Sequence, residues 1–100
     1  MARPRGFIVL YRVHKGTDRA AMTRFLRELR GYEDRSHYGE YVYRRAGLLD
    51  RFPHVKLIRG ALIVRREDAE DLVKFLERYA EVHVREVFLN EEDERALGLR

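Results

Sequence analysis

Arg5-Gly6-Phe7-Ile8-Val9-Leu10-Tyr11-Arg12 and, 54 positions further on, Arg59-Gly60-Ala61-Leu62-Ile63-Val64-Arg65-Arg66 decide how this chain folds. In both, an Arg-Gly pair opens an apolar run and arginine closes it. Such runs read as strands bounded by a turn residue and a charge. Strand side chains alternate, so Phe7, Val9, Tyr11 and Val13 share one face while Ile8 and Leu10 share the other. Apolar residues on both faces predict a strand covered on both sides, or one with an aromatic working face.

A helix is expected after each run. His14-Lys15-Gly16 breaks the first strand, and Thr17 or Asp18 can cap the next helix through a side-chain oxygen. Met22, Phe25, Leu26 and Leu29 recur at helical spacing, and Gly31 supplies a stop that tolerates left-handed geometry. After the second run, Glu67, Asp68, Glu70 and Asp71 suit the positive end of a helix dipole, and Ala69, Leu72, Val73, Leu76 and Tyr79 form its apolar stripe. Arg24-Phe25-Leu26-Arg27 echoes Lys74-Phe75-Leu76-Glu77 at an offset of 50.

Each half then closes with a strand, Glu40–Arg45 in the first and Val82–Leu89 in the second. The alternation of the last strand slips between Val84 and Val87, which predicts a bulge or a change of exposed face. Tyr32–Gly39 is polar and reads as a loop. Ala46–Pro53 reads as a turn of helix tucking Leu48, Leu49 and Phe52 inward, Val55–Ile58 as a short strand, and Glu91–Leu97 as a terminal helix capped by Asn90. Two strand–helix–strand units in one sheet give an α+β, ferredoxin-like βαββαβ two-layer sandwich with a short C-terminal helix. The expected sheet has four antiparallel strands, with helices 18–30 and 67–79 on one face. Residues 1–100 form one domain in this reading, with 1–5 a basic arm and 46–59 an elaborated connection.

The composition bounds the function. With 38% charged residues of both signs, the chain exceeds the roughly 25% of ordinary globular domains. Eighteen Arg against three Lys, one Asn, no Gln and no Cys suit a protein that works at high temperature, or a GC-rich genome that favours arginine codons. The lack of cysteine excludes disulfides, thiolate nucleophiles and thiolate metal sites. No apolar run approaches the ~18 residues of a membrane span, which predicts a cytoplasmic protein with no membrane partner. Residues 1–66 hold sixteen Lys and Arg against six acids, a net of +10; residues 67–100 hold five against eleven, a net of −6. That split suits a polyanion partner, or halves that neutralise each other in the fold, and it permits two copies to pair as a homodimer.

The segment richest in chemistry is Arg35-Ser36-His37-Tyr38-Gly39-Glu40-Tyr41-Val42-Tyr43-Arg44-Arg45. In an extended chain, Tyr41, Tyr43 and Arg45 share a face. Rings stack on bases and guanidinium groups pair with phosphates, so the segment points to RNA, with DNA as the other candidate. Arg35, Arg44, Arg45, Arg51, Lys56 and Arg59 are the candidate phosphate contacts, and Tyr38, Tyr41 and Tyr43 the stacking rings. The competing reading is a strand whose tyrosines cover a core with their hydroxyls at the rim. Of His14, His37, His54 and His83, none has metal-ligand spacing, and His37, in a polar loop, is the best general-base candidate. No phosphate loop, dinucleotide turn or serine elbow is present, so nothing asks for a cofactor. The chain reads as a binding module rather than an enzyme, with a protein-assembly module second and a metal-dependent nuclease third.

In element order and size the chain resembles the ferredoxin-like superfold. That superfold includes RNA-recognition modules and the small CRISPR-associated endoribonucleases. The nuclease family ends its first strand with a metal-binding aspartate after a tyrosine; here Tyr11 is followed by Arg12, which cannot ligate a divalent metal. The third strand, Ala61-Leu62-Ile63-Val64, lacks the rings of the RNA-recognition motif, and the aromatics gather around Tyr41 and Tyr43 instead.

Overall fold

The computed structural model describes residues 3–36 and 38–100. Its elements run β1 (Arg5–Val13), α1 (Arg19–Arg30), β2 (Tyr32–Ser36), β3 (Tyr41–Arg45), a 3-10 turn (Leu48–Arg51), β4 (His54–Ile58), β5 (Ala61–Val64), α2 (Arg66–Leu76), β6 (Ala80–Phe88) and α3 (Glu91–Ala96). They group into two units, one made of the chain up to Lys15 with Pro53–Arg100, the other of Gly16–Phe52. The protein is thus a mixed α+β chain with antiparallel sheets and three helices.

The first unit is built on a four-stranded antiparallel sheet of order β4-β5-β1-β6. The two echoing stretches are its central strands, with Phe7 opposite Val64 and Val9 opposite Leu62. Both faces of β1 have cover around Ile8 and Val9, while Leu10, further along the strand, is 39% exposed. On one face Ile8, Val55 and Val87 pack against a cluster of Ile63, Leu89 and Leu97, the last two supplied by the C-terminal segment. On the other face Val9, Leu62 and Val64 are buried, and α2, with Ala69, Leu72 and Leu76 buried, lies against β1 and β6.

Two expectations are corrected here. The edge of the sheet expected for Glu40–Arg45 is held by His54–Ile58, while Tyr41–Arg45 joins a separate two-stranded sheet. The slip between Val84 and Val87 is a change of face, since β6 pairs with β1 in unbroken register from Ala80 to Phe88. Val87 turns toward Leu89 and Leu97, and that cover explains the switch. The irregularity in this sheet lies between Lys56 and Ile58.

The second unit comprises α1, the β2–β3 hairpin and the 3-10 turn. The Asp18 side chain accepts from the Ala21 amide at 2.7 Å and caps α1, and Phe25 and Leu29 of the predicted stripe are buried. Tyr32–Ser36, read as a loop, is a strand, because its partner supplies both the ladder and the charges. Glu33 stands opposite Arg44, and Asp34 pairs with Arg45 at 3.2 Å. The 3-10 turn packs on α1 and buries Leu49 and Phe52. Gly47 makes that possible: a Cβ there would overlap the backbone of Arg30 and Gly31 and the Leu29 carbonyl. Among the described residues no helix is long and apolar enough to cross a membrane.

Candidate nucleic-acid interface

The hairpin sorts its side chains by parity. Tyr32, Asp34 and Ser36 of β2 share a face with Arg45, Tyr43 and Tyr41 of β3; Glu33, Arg35, Val42 and Arg44 take the other. Tyr41 is 48% exposed and Tyr43 is 52% exposed, so neither ring is core cover. Tyr38, at the tip, is fully exposed and has a φ of 57°, left-handed backbone that an aromatic residue rarely adopts.

At the root of the same face, the Arg27 guanidinium lies 4.6 Å from the centre of the Tyr32 ring. A shallow groove runs beside it, lined by Ala20, Thr23, Arg24, Arg27, Glu28 and Tyr32. Among the described residues Arg19, Arg24 and Arg30 make no ion pair. Helix α1 carries four arginines and one glutamate. The hairpin segment 32–45 carries three arginines and three acids and is locally neutral. Sequence reading missed the helix arginines and Tyr32 because it took α1 as a core element. The signal was present: apart from Glu28 and the capping end, the charges of that helix are all arginine.

The predicted phosphate contacts separate in the structure. Arg35 pairs with Glu33 at 3.2 Å. Arg45 pairs with Asp34 yet keeps its side chain 58% exposed on the tyrosine face. Arg44 works inside the unit. It donates to the Arg30 carbonyl at 2.7 Å, to the Tyr32 carbonyl at 3.5 Å, to the Arg45 carbonyl and to Asp50 at 3.1 Å. Asp50 in turn accepts from the Gly47 amide at 2.7 Å. Arg51 is exposed at the end of the 3-10 turn, and Lys56 and Arg59 belong to the other unit. His37 lies outside the described residues, as do the first two residues of the basic arm. Arg3 and Arg5 of that arm stand 4.7 and 4.9 Å from the centre of the Phe88 ring.

In the sheet unit, Arg12 donates to Glu81 at 2.7 Å, and His83 stands 3.5 Å from the same carboxylate. The Arg12 hydrogen bond, then that of His83, holds the Glu81 carboxyl below its ordinary range. Among the described residues no three His, Asp or Glu side chains gather as a metal ion would require. Comparison with protein-family models, curated proteins and solved structures finds no match to this chain.

Proposed function

We propose that the protein is a ferredoxin-like module that binds a single strand of nucleic acid, RNA or DNA, without catalysing a reaction on it. The order β4-β5-β1-β6, with α2 between β5 and β6, supports that description of the sheet. The β2–β3 hairpin and the 3-10 turn are then an insertion between α1 and β4.

The observation that carries the functional reading is the exposed face of the hairpin. Tyr41 and Tyr43 follow at strand spacing beside Arg45, and the face starts at Tyr32, where the arginines of α1 begin. Successive rings give bases a stacking platform, and arginines free of acidic partners hold phosphates. Arg24 and Arg27 therefore take the role that the sequence assigned to Arg44.

Binding is tested by fluorescence anisotropy with a short labelled oligonucleotide over a series of salt concentrations. Changing Arg24 and Arg27 together to Ala is expected to lower the slope of log affinity against log salt by about 1.4, at roughly 0.7 per phosphate. Tyr43→Ala is expected to weaken binding by roughly 1–3 kcal/mol with the slope nearly unchanged. No binding by the wild type at low salt would refute the proposal.

A further inference from the structure

Strand β6 is a free edge. It ends the sheet order, and among the described residues its nine residues pair with β1 alone. The direction of its backbone groups follows from β1. The Tyr11 amide bonds toward Gly60 on the β5 side, whereas the His14 amide bonds toward Tyr79 on the β6 side. The pairs Leu10–His83 and Arg12–Glu81 therefore exchange hydrogen bonds, and the backbone groups of Val82, Val84 and Glu86 point out from the sheet. The Arg85 guanidinium confirms the outward carbonyl of Val84, to which it donates at 2.7 Å. A long edge of this kind is a template for another strand. The opposite edge, β4, is five residues long and irregular at Lys56.

We infer that β6 pairs antiparallel with β6 of a second copy of this chain, about a two-fold axis through His83. The sequence of the edge is complementary to itself in that register. Val82 meets Val84 of the second copy and Ala80 meets Glu86, so the outward N–H and C=O groups of these four residues find partners. Glu81 meets Arg85 of the second copy, and by symmetry Arg85 meets Glu81. These charges stand at non-hydrogen-bonded positions, where facing side chains come closest. Each Glu81 then lies between Arg12 of its own chain and Arg85 of the other. On pairing, the Val84 carbonyl passes from Arg85 to the Val82 amide of the second copy, which releases the guanidinium for Glu81. Sliding the strands by two residues one way sets His83 against Arg85, and the other way carries Arg85 beyond the end of the strand. A one-residue slide puts outward groups against inward ones.

The register is tested by charge exchange, read by sedimentation equilibrium on the full chain across the micromolar range. The wild type is expected at twice 12.0 kDa. Glu81→Arg alone and Arg85→Glu alone are each expected to raise the dimer dissociation constant at least tenfold, and the double exchange to restore it. A wild type that stays at 12.0 kDa, single variants that pair like the wild type, or a double variant that does not recover would overturn the inference. Val84→Pro gives a reading independent of charge. Its amide points outward, so proline spares the ladder to β1 and removes only the bond to the second copy. A folded monomer is the expected result, and a persistent dimer would place the interface elsewhere.

Discussion

Replacing Arg44 by alanine separates an internal clamp from a phosphate contact. Arg44 joins the end of α1, the start of β2 and the 3-10 turn, through the carbonyls of Arg30 and Tyr32 and the carboxylate of Asp50. The Arg30 carbonyl belongs to a last helical turn, where no helical amide is available to it. Hydrogen bonds from a charged group contribute about 1.5–3 kcal/mol when water is excluded. Here the Arg44 side chain is 53% exposed and that of Asp50 46%, so water replaces part of what is lost. The expected cost of Arg44→Ala is therefore about 1–2 kcal/mol, a fall in Tm of about 5–15 °C. Arg44→Lys keeps the charge without the planar fork and is expected to recover less than half of it. A thermal melt by circular dichroism measures the fall, and an oligonucleotide titration well below both melting temperatures measures the salt slope, expected unchanged. An unchanged Tm together with a slope lower by about 0.7 would refute the reasoning and return Arg44 to the phosphates.

Tyr38 pays for its left-handed backbone, so Tyr38→Asn is expected to stabilise the chain by roughly 0.5–1 kcal/mol while weakening oligonucleotide binding. A melt and an anisotropy titration of the one variant check both halves. Leu97 is fully buried against Ile63 and Leu89, and α3 is too short to persist without that anchor. Leu97→Ala is expected to cost about 2–4 kcal/mol by denaturant titration. The Arg12 hydrogen bond lowers the Glu81 pKa from its ordinary 4.5, so its stabilisation is complete above that value and is lost as the pH falls through the lowered one. The difference in Tm between wild type and Arg12→Ala is expected to be constant at neutral pH and to shrink as the pH falls below 4.5. A gap that stays constant into strong acid would show that the ion pair is not its source.

The legible part of the fold is the part whose determinants are local. The central strands, both long helices and the terminal helix could be read because local signals agree with tertiary ones: Asp18 and Asn90 cap, Phe25 and Leu29 recur at helical spacing, and the β5 run is wholly apolar. Strand β2 could not be read, because Tyr32-Glu33-Asp34-Arg35-Ser36 has little intrinsic preference for a strand and owes its conformation to β3. The same limit misplaced Tyr41–Arg45. Its alternation marks a strand, yet nothing in five residues says which sheet it joins. At the candidate site the exposed tyrosines stand where alternation put them, together with Arg45. The fate of Arg44 was invisible in the sequence, since it depends on Gly31 and Gly47 bringing the chain close to the end of α1, and a Cβ on Gly31 would overlap the Arg44 guanidinium.

Ultraviolet cross-linking of the wild type to a short single-stranded oligonucleotide, followed by trypsin and mass spectrometry, tests the binding surface most directly. Cleavage after Arg35 and Arg44 releases residues 36–44, which carry Tyr38, Tyr41 and Tyr43 in one peptide. The proposed interface predicts nucleotide adducts on that peptide, and their loss when Tyr41 and Tyr43 are both changed to Ala. Adducts confined to peptides of the four-stranded sheet, with residues 36–44 unmodified, would contradict it.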